Sequence, residues 1–462
     1  MRASLSSLAL LSVVVGAVVQ SLGGGTAAGL AAAAALLLYV LLEGWAARSN
    51  SRIILGMAAL AGLASLWHAD PLGLLERAAT ASAALIGLFV ALGFLREAAE
   101  TSDLVRRCGE LMVRQPPGRR YMVLSVGSHL IALVLNFGVL PLLGSMVMRG
   151  NTAEAAGGDP RIVAIRSRRM LSAMLRGFAL MTAWSPLSVS FAVTSVALPG
   201  LAWHGLLAAQ VVLAVILLLF GWVLDRRAFP PSGRVLPGVG EPTDWGPALR
   251  MALLVASVVA GSMAVALIID VRLVVGAMLV VPASAVAWLL VQQGDPLRVA
   301  QDLRRRLRVS LPAFRDEVAM LGGAMFLGTV AAAFLSADLV GHFIDGLGLP
   351  AIVLVILLAW TMMILAQLGI SQIVSTTLFA GALSHMGAHA APPLVVASGL
   401  MGAWALSACS TPVGAAVLTV ARVGGVSVGT VAREWNGGFV IGGALLLALW
   451  LLALHGLLAV FR

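Results

Sequence analysis

The chain leaves no room for a sizeable water-soluble domain, and this limits its fold more than any other feature. Apolar runs of membrane-spanning length follow one another at 4–22, 26–42, 53–67, 78–95, 205–224, 251–269, 273–293, 317–335 and 437–459, and the longest polar stretches between them run to only about 25 residues. A span needs ~20 predominantly apolar residues. Of the 462 residues, 60% are hydrophobic and 11% charged, against about 45–50% and about 25% in an ordinary globular chain. The sequence therefore predicts an all-α polytopic membrane protein and excludes a large soluble catalytic domain.

The 30 basic residues are all arginine, and the net charge is +10. In a soluble chain that balance would point to nucleic acid. Here it marks cytoplasmic loops facing anionic lipid, so the expected partners are membrane lipid and a small-molecule substrate, with no nucleic acid. Cys108 and Cys409 can form no disulfide framework and carry no metal-ligand spacing. No cofactor or metal is expected beyond Na⁺ or H⁺ as a coupling ion. Met1-Arg2 followed by apolar residues to Val19 has the outline of a signal peptide. The next run starts at Thr26, however, and Leu22-Gly23-Gly24-Gly25 reads as a tight turn, which favours two membrane helices.

Four further apolar regions, 121–148, 177–198, 350–384 and 393–422, are interrupted near their middles by Gly, Pro, Ser, Thr or Asn. Arginine placement decides how to read them. Segments 96–120, 149–176 and 294–316 carry six Arg each and 225–250 carries four, whereas 199–204, 336–349 and 385–392 carry none. The positive-inside rule puts the first group in the cytoplasm and the second outside. Region 121–148 lies between two cytoplasmic segments, so it must enter and leave on the same side, turning at Asn136-Phe137-Gly138. Region 350–384 lies between two outer segments and would be about 52 Å long as one rod at ~1.5 Å per residue. It too folds back, at Leu368-Gly369-Ile370-Ser371. The result is about 11 transmembrane helices plus two re-entrant hairpins, with the N-terminus cytoplasmic and the C-terminus outside. This layout puts 27 of the 30 Arg inside, as expected for a bacterial inner membrane.

Beyond an extra N-terminal helix (1–25), the order of elements repeats: three helices, a hairpin, an interrupted helix, a helix. Residues 26–224 form the first copy and 251–462 the second, joined by a cytoplasmic linker at 225–250. The copies start on opposite sides, which makes them inverted-topology repeats. Ser185-Pro186-Leu187-Ser188 is echoed by Thr411-Pro412-Val413-Gly414. Inverted repeats with broken helices are the architecture of secondary transporters. Unwound backbone survives at membrane depth only beside protein or an aqueous cavity, so the four breaks are expected to converge on one site.

At these breaks the chain resembles the ion transporter superfamily, which includes divalent-anion/sodium symporters, citrate carriers, and arsenite and sodium/proton permeases. Residues 130–141, centred on Asn136-Phe137-Gly138, look like the first hairpin tip of that group, and Thr182-Ala183-Trp184-Ser185-Pro186 like its first unwound helix. Gly369 to Thr377 is similar to the second tip, and Ser410-Thr411-Pro412-Val413-Gly414-Ala415 to the second unwound helix. Leu135 stands where the antiporter branch tends to carry Asp. The resemblance implies ion-coupled alternating access, an organic-anion substrate and a homodimer built on scaffold helices.

The candidate substrate and ion site is nearly uncharged: Asn136, Gly138, Ser185, Pro186, Ser188, Gly369, Ser371, Ser375, Thr376, Ser410, Thr411, Pro412 and Gly414, with Gln372 beside them. Their hydroxyl, amide and backbone groups suit a carboxylate or a small cation. With no buried Arg expected, an anion would rely on backbone N–H groups and helix ends. His129, seven residues before the Asn136 turn, is the candidate proton site. Asp270 and Arg272 are expected to pair at the outer surface. An outer group of Asp338, His342, His385 and His389 carries the alternative reading, a membrane-embedded enzyme. A permease subunit of a multi-component transporter is a further alternative. Both stand behind a secondary transporter with no catalytic residues.

Overall fold

A computed structural model describes residues 2–198, 200–230, 244–335, 346, 348–384 and 391–460. Among these there is no strand, and the chain is an all-helical polytopic membrane protein. The first crossings are α1 (Arg2–Val19), α2 (Gly25–Glu43), α3 (Ser49–Ala64) and α4 (Pro71–Glu100). The join between α1 and α2 is a π-helical turn in which Gly23 adopts φ 98°, a conformation that needs the missing β-carbon. Although 2–46 could be taken as one long apolar helix, Arg2 binds the Glu43 carboxylate at 2.8 Å, so the two helices lie antiparallel. Leu8, Leu41, Leu60 and Leu63 point outward, as lipid-facing positions should.

After the short amphipathic α5 (Asp103–Val113) come α6 (Pro117–Leu135) and α7 (Val139–Gly150). At ~1.5 Å per residue α6 alone is about 28 Å long, yet the chain returns to its starting level. A β-carbon on Gly150 would stand 3.2 Å from Val113, only four residues before α6 begins. The turn is made at Asn136, whose φ of 49° makes it one of two described non-glycine residues with positive φ. Asparagine tolerates that region better than most residues. The first hairpin is thus present, with both ends at the arginine-rich side.

Next come α8 (Pro160–Met181), α9 (Val189–Ala197) and α10 (Trp203–Ala228). Helices α8 and α9 are the two halves of one interrupted crossing. Helix α10 returns antiparallel to α8, with Asp225 on Arg169 and Gln210 on the Ala183 carbonyl. Beyond the linker follow α11 (Gly246–Ile268), α12 (Leu273–Gln293), the surface helix α13 (Pro296–Ala313) and α14 (Arg315–Ala333).

The second hairpin is α15 (Ala351–Gln367) and α16 (Gln372–Ser384), beside the interrupted pair α17 (Pro393–Ala408) and α18 (Ala415–Gly424). Helix α15 runs along α17 from Val355 at Gly399 to Gln367 at Ser410, and Gln372 then comes back to the Trp404 carbonyl. Gly369, at φ 88°, makes the reversal. A π-helical turn (Thr430–Trp435) leads into the last crossing, α19 (Gly437–Val460). Counting each interrupted pair as one, the described residues make eleven crossings and two hairpins.

Three sequence expectations need correction. Segment 96–120 is not a loop, because α4 runs on to Glu100, α6 starts at Pro117, and α5 lies between them with its apolar face of Val105, Cys108 and Met112 buried. Asp270 and Arg272 form no ion pair. Asp270 sits exposed in a tight turn at φ 51°. Arg176, assigned to a loop by its neighbours, lies inside α8 and is 6% exposed.

Close helix approach depends on glycine at α6 and α8, where a β-carbon on Gly177 would stand 2.1 Å from the Ser125 carbonyl oxygen. Backbone would have to shift, at a typical cost of about 1–3 kcal/mol for overpacking. Gly177→Ala should therefore lower the thermal unfolding midpoint of the purified protein by several degrees. Gly118→Ala, in open space at the start of α6, should leave it unchanged.

Candidate functional site

Each hairpin tip stands against an interrupted crossing, but the two pairs differ chemically. In the first, α8 ends at Met181 and α9 begins at Val189. Of the intervening residues all but half-buried Thr182 and Trp184 are buried, and the segment consumes its own polar groups. The Ser185 hydroxyl accepts from the Leu187 amide, and the Ser188 hydroxyl binds the Ser185 carbonyl and caps the Phe191 amide. The Ser190 hydroxyl binds the Thr182 carbonyl. The Ala183 carbonyl accepts from Gln210, which accepts from Ser398, which accepts from Trp450. This relay seals the first break from three surrounding helices. Ser185 and Ser188, at 0% and 1% exposure, present nothing to a solute.

The first tip is held by its limb. Ser128 donates to the Met174 carbonyl, and the Trp184 indole N–H donates to His129 Nε2 at 2.7 Å. Since indole is only a donor, Nε2 must be the bare nitrogen, and Nδ1 carries the proton to the Gly177 carbonyl at 3.1 Å. His129, the residue picked for proton exchange, is buried, with both nitrogens engaged. At the tip itself Asn136 and Gly138 are half-buried and Phe137 is exposed, its ring against Phe178.

The second pair is open. Gly369, Ile370 and Gln367 are exposed, and Ser371 and Gln372 half-exposed. Opposite them the chain is unwound from Cys409 to Gly414. Ser410 accepts from Gln367 at 2.9 Å, and Val413 lies beside Gly369. Thr411, Pro412 and Gly414 remain partly exposed. The start of α18 has no side-chain cap, unlike that of α9, which Ser188 caps. Uncapped first-turn N–H groups and the positive end of the helix dipole attract anions. Just before them the unwound stretch turns on itself, the Thr411 carbonyl accepting from the Gly414 amide at 2.9 Å.

The structure thus brings Gly369, Ser371, Thr411, Pro412 and Gly414 around one opening, with Ser410 buried beneath it on Gln367 and the Thr411 hydroxyl bound to the Ser407 carbonyl. It separates Ser185, Pro186 and Ser188, which are interior. Ser375 and Thr376 are also buried, Ser375 bound to the Ser371 carbonyl and Thr376 turned toward the Met362 sulfur. Asp338, His342, His385 and His389 lie outside the described residues, and among the described residues no cluster of His, Cys, Asp or Glu could hold a metal.

Arg176 is the residue that sequence reasoning missed. Its guanidinium donates to the Asn436 side-chain oxygen, the Tyr121 hydroxyl and the Trp435 carbonyl, and lies 4.7 Å from the Phe439 ring centroid. All three acceptors are neutral, so the cation is solvated by protein dipoles and an aromatic face. The signal in the sequence was its position, sixteen residues into an otherwise helical stretch.

The site and fold together define a polytopic helical protein with two re-entrant hairpins and two interrupted crossings. The chain matches no known protein-family model and no curated protein by sequence. Its fold is similar to that of the YdaH transporter of Alcanivorax borkumensis, described as having an unusual topology. The TM-score is 0.56 at 16% identity, over 89% of this chain and 98% of that one.

The indole–imidazole pair gives a direct check. Nitrogen NMR of the protein with labelled histidine should show His129 as the neutral, Nδ1-protonated tautomer at pH 7. Trp184→Phe, which leaves a buried acceptor bare, should cost about 1–3 kcal/mol of stability. An Nε2-protonated ring would contradict the assigned bond.

Proposed function

We propose that this protein is an ion-coupled secondary active transporter of a small organic anion, working by alternating access between two inverted-topology repeats, 26–224 and 251–462. The observation that carries the reading is the open pairing of the second tip with the second break, in which an uncapped helix start and the partly exposed Ser371, Thr411, Pro412 and Gly414 surround one opening beside the Gln367–Ser410 bond. An anion meets the N–H groups, and a small cation meets the carbonyl and hydroxyl oxygens. Such pairing of opposite half-helix ends is how broken helices serve a solute and its coupling ion together. The fold likeness to a transporter supports the same reading.

Sodium suits these hard oxygens better than a proton does. Proton exchange at His129 would first require Trp184 to let go of Nε2, because a protonated ring has no acceptor to offer the indole. A bacterial inner-membrane location, with the N-terminus inside, follows from the arginine pattern as part of the same proposal.

The test combines flux with labelling. Purified protein in proteoliposomes should accumulate a radiolabelled organic anion when a Na⁺ gradient is imposed. Gln367→Ala should cut the initial rate by about tenfold without changing the unfolding midpoint. A cysteine at Ser371 should react with a maleimide and be protected by substrate plus Na⁺. A cysteine at buried Ser185 should stay unreactive, as should Cys108, whose thiol burial pushes up to about 11. Equal labelling at Ser371 and Ser185, or flux indifferent to Gln367, would remove the second tip from the pathway.

A further inference from the structure

A second polar cavity, of about 570 Å³, opens at the arginine-rich end between α4, α13 and α14. Its charged lining consists of Arg96, Glu97, Glu100, Arg305, Arg306 and Glu317. Two of the three arginines are already paired, Arg96 with Glu100 at 2.8 Å and Arg305 with Asp302 at 2.8 Å. The third is not. The buried Nε of Arg306 has no hydrogen-bond partner, and neither has the buried hydroxyl of Ser310. These residues are four apart on α13 and so share one face, and both line the cavity.

The opposite wall has the complementary defect. Glu97 on α4 is 7% exposed and, among the described residues, forms no ion pair or side-chain hydrogen bond. Glu317, at the start of α14, accepts from its own backbone amide and, among the described residues, also forms no ion pair. Buried donors and carboxylates are ordinarily matched, because burial without a partner is costly. Here the unmatched donors of Arg306 and Ser310 face, across one space, two carboxylates that have no cation of their own, the arrangement of a receptor for a ligand with two opposite ends. The cavity also adjoins the first hairpin tip, since a β-carbon on Gly138 would stand 3.9 Å from Arg96 Nε.

We propose that this cavity binds a zwitterion, its phosphate or carboxylate on Arg306 and Ser310 and its ammonium group on Glu97 with Glu317. The shared chemistry is that of a phosphoethanolamine headgroup or of a free amino-acid-like solute. The site is separate from the opening at the second tip, and its occupancy does not depend on transport.

Titration calorimetry of the purified full-length protein tests this with O-phosphoethanolamine, inorganic phosphate and ethylammonium as probes. O-Phosphoethanolamine should bind at least tenfold more tightly than either single-charge probe. Arg306→Gln and Ser310→Ala should weaken both phosphate-bearing probes, and Glu97→Gln only the zwitterion. Ser310→Ala removes just an unpartnered hydroxyl and so keeps the test valid if a charge variant fails to fold. Native mass spectrometry separates the two sources. Retention of phosphatidylethanolamine over phosphatidylglycerol, lost in Arg306→Gln, supports the site with a lipid occupant, and calorimetric binding without such retention supports it with a soluble one. Phosphate binding as tight as O-phosphoethanolamine and unmoved by Glu97→Gln would overturn the proposal. So would the absence of any binding sensitive to Arg306 or Ser310.

Discussion

Backbone that leaves a helix inside a membrane must find its hydrogen bonds within the protein, and this requirement shapes everything around the four breaks. Each unpaired N–H or C=O in hydrocarbon costs several kcal/mol, so an unwound segment is either closed by neighbouring side chains or opened to polar contents. The two interrupted crossings adopt the two solutions. Between α8 and α9, three serines bond to their own segment, and Gln210 closes the Ala183 carbonyl from α10. Between α17 and α18, the neighbour's contribution is one glutamine on Ser410, and the start of α18 stays uncapped. The first break is therefore closed on all sides, whereas the second, though its Thr411 hydroxyl binds the Ser407 carbonyl, keeps an uncapped helix start at a partly exposed surface.

Arg176 shows the same constraint applied to charge. A guanidinium is expensive to bury without compensation, and here Asn436, Tyr121, the Trp435 carbonyl and the Phe439 ring share that task. The acceptors come from α6 and from the π-helical turn before α19, on either side of α8. That turn is itself pinned by the Asn436 amide on the Val431 carbonyl. The cation thus joins parts of the chain more than 250 residues apart, and its cost is distributed over interactions that also fix the turn.

The hairpins were legible in the sequence because arginine counting acts on long segments, where a few misplaced charges do not change the side to which a whole segment belongs. The turn residues, Asn136 and Gly369, fell where positive φ was required. The availability of individual hydroxyls was not legible. Ser185 and Ser410 both sit at a break beside proline or threonine, and nothing in their spacing says that one is spent on the Leu187 amide while the other meets Gln367. Arg176 was hidden for a related reason, since charge alone assigns an arginine to a surface until tertiary acceptors are known. Helix α5 escaped notice because its apolar face is only three turns long.

The two hairpins also differ in what holds them, which bears on what relative motion would cost. The first is fixed to α8 through main-chain carbonyls, with Ser128 on Met174 O, His129 on Gly177 O, and Gly177 packed directly on the Ser125 backbone. Displacing it means breaking buried bonds whose acceptors cannot follow. The second is tied to α17 and its break by Gln367 and Gln372, long side chains that can track a moving partner through rotamer changes. Against α14 it packs closely at two glycines, with Thr377 seated over Gly328 and Ala332 over Gly381. The same hairpin thus carries both the more exposed polar groups and the tether made of long side chains.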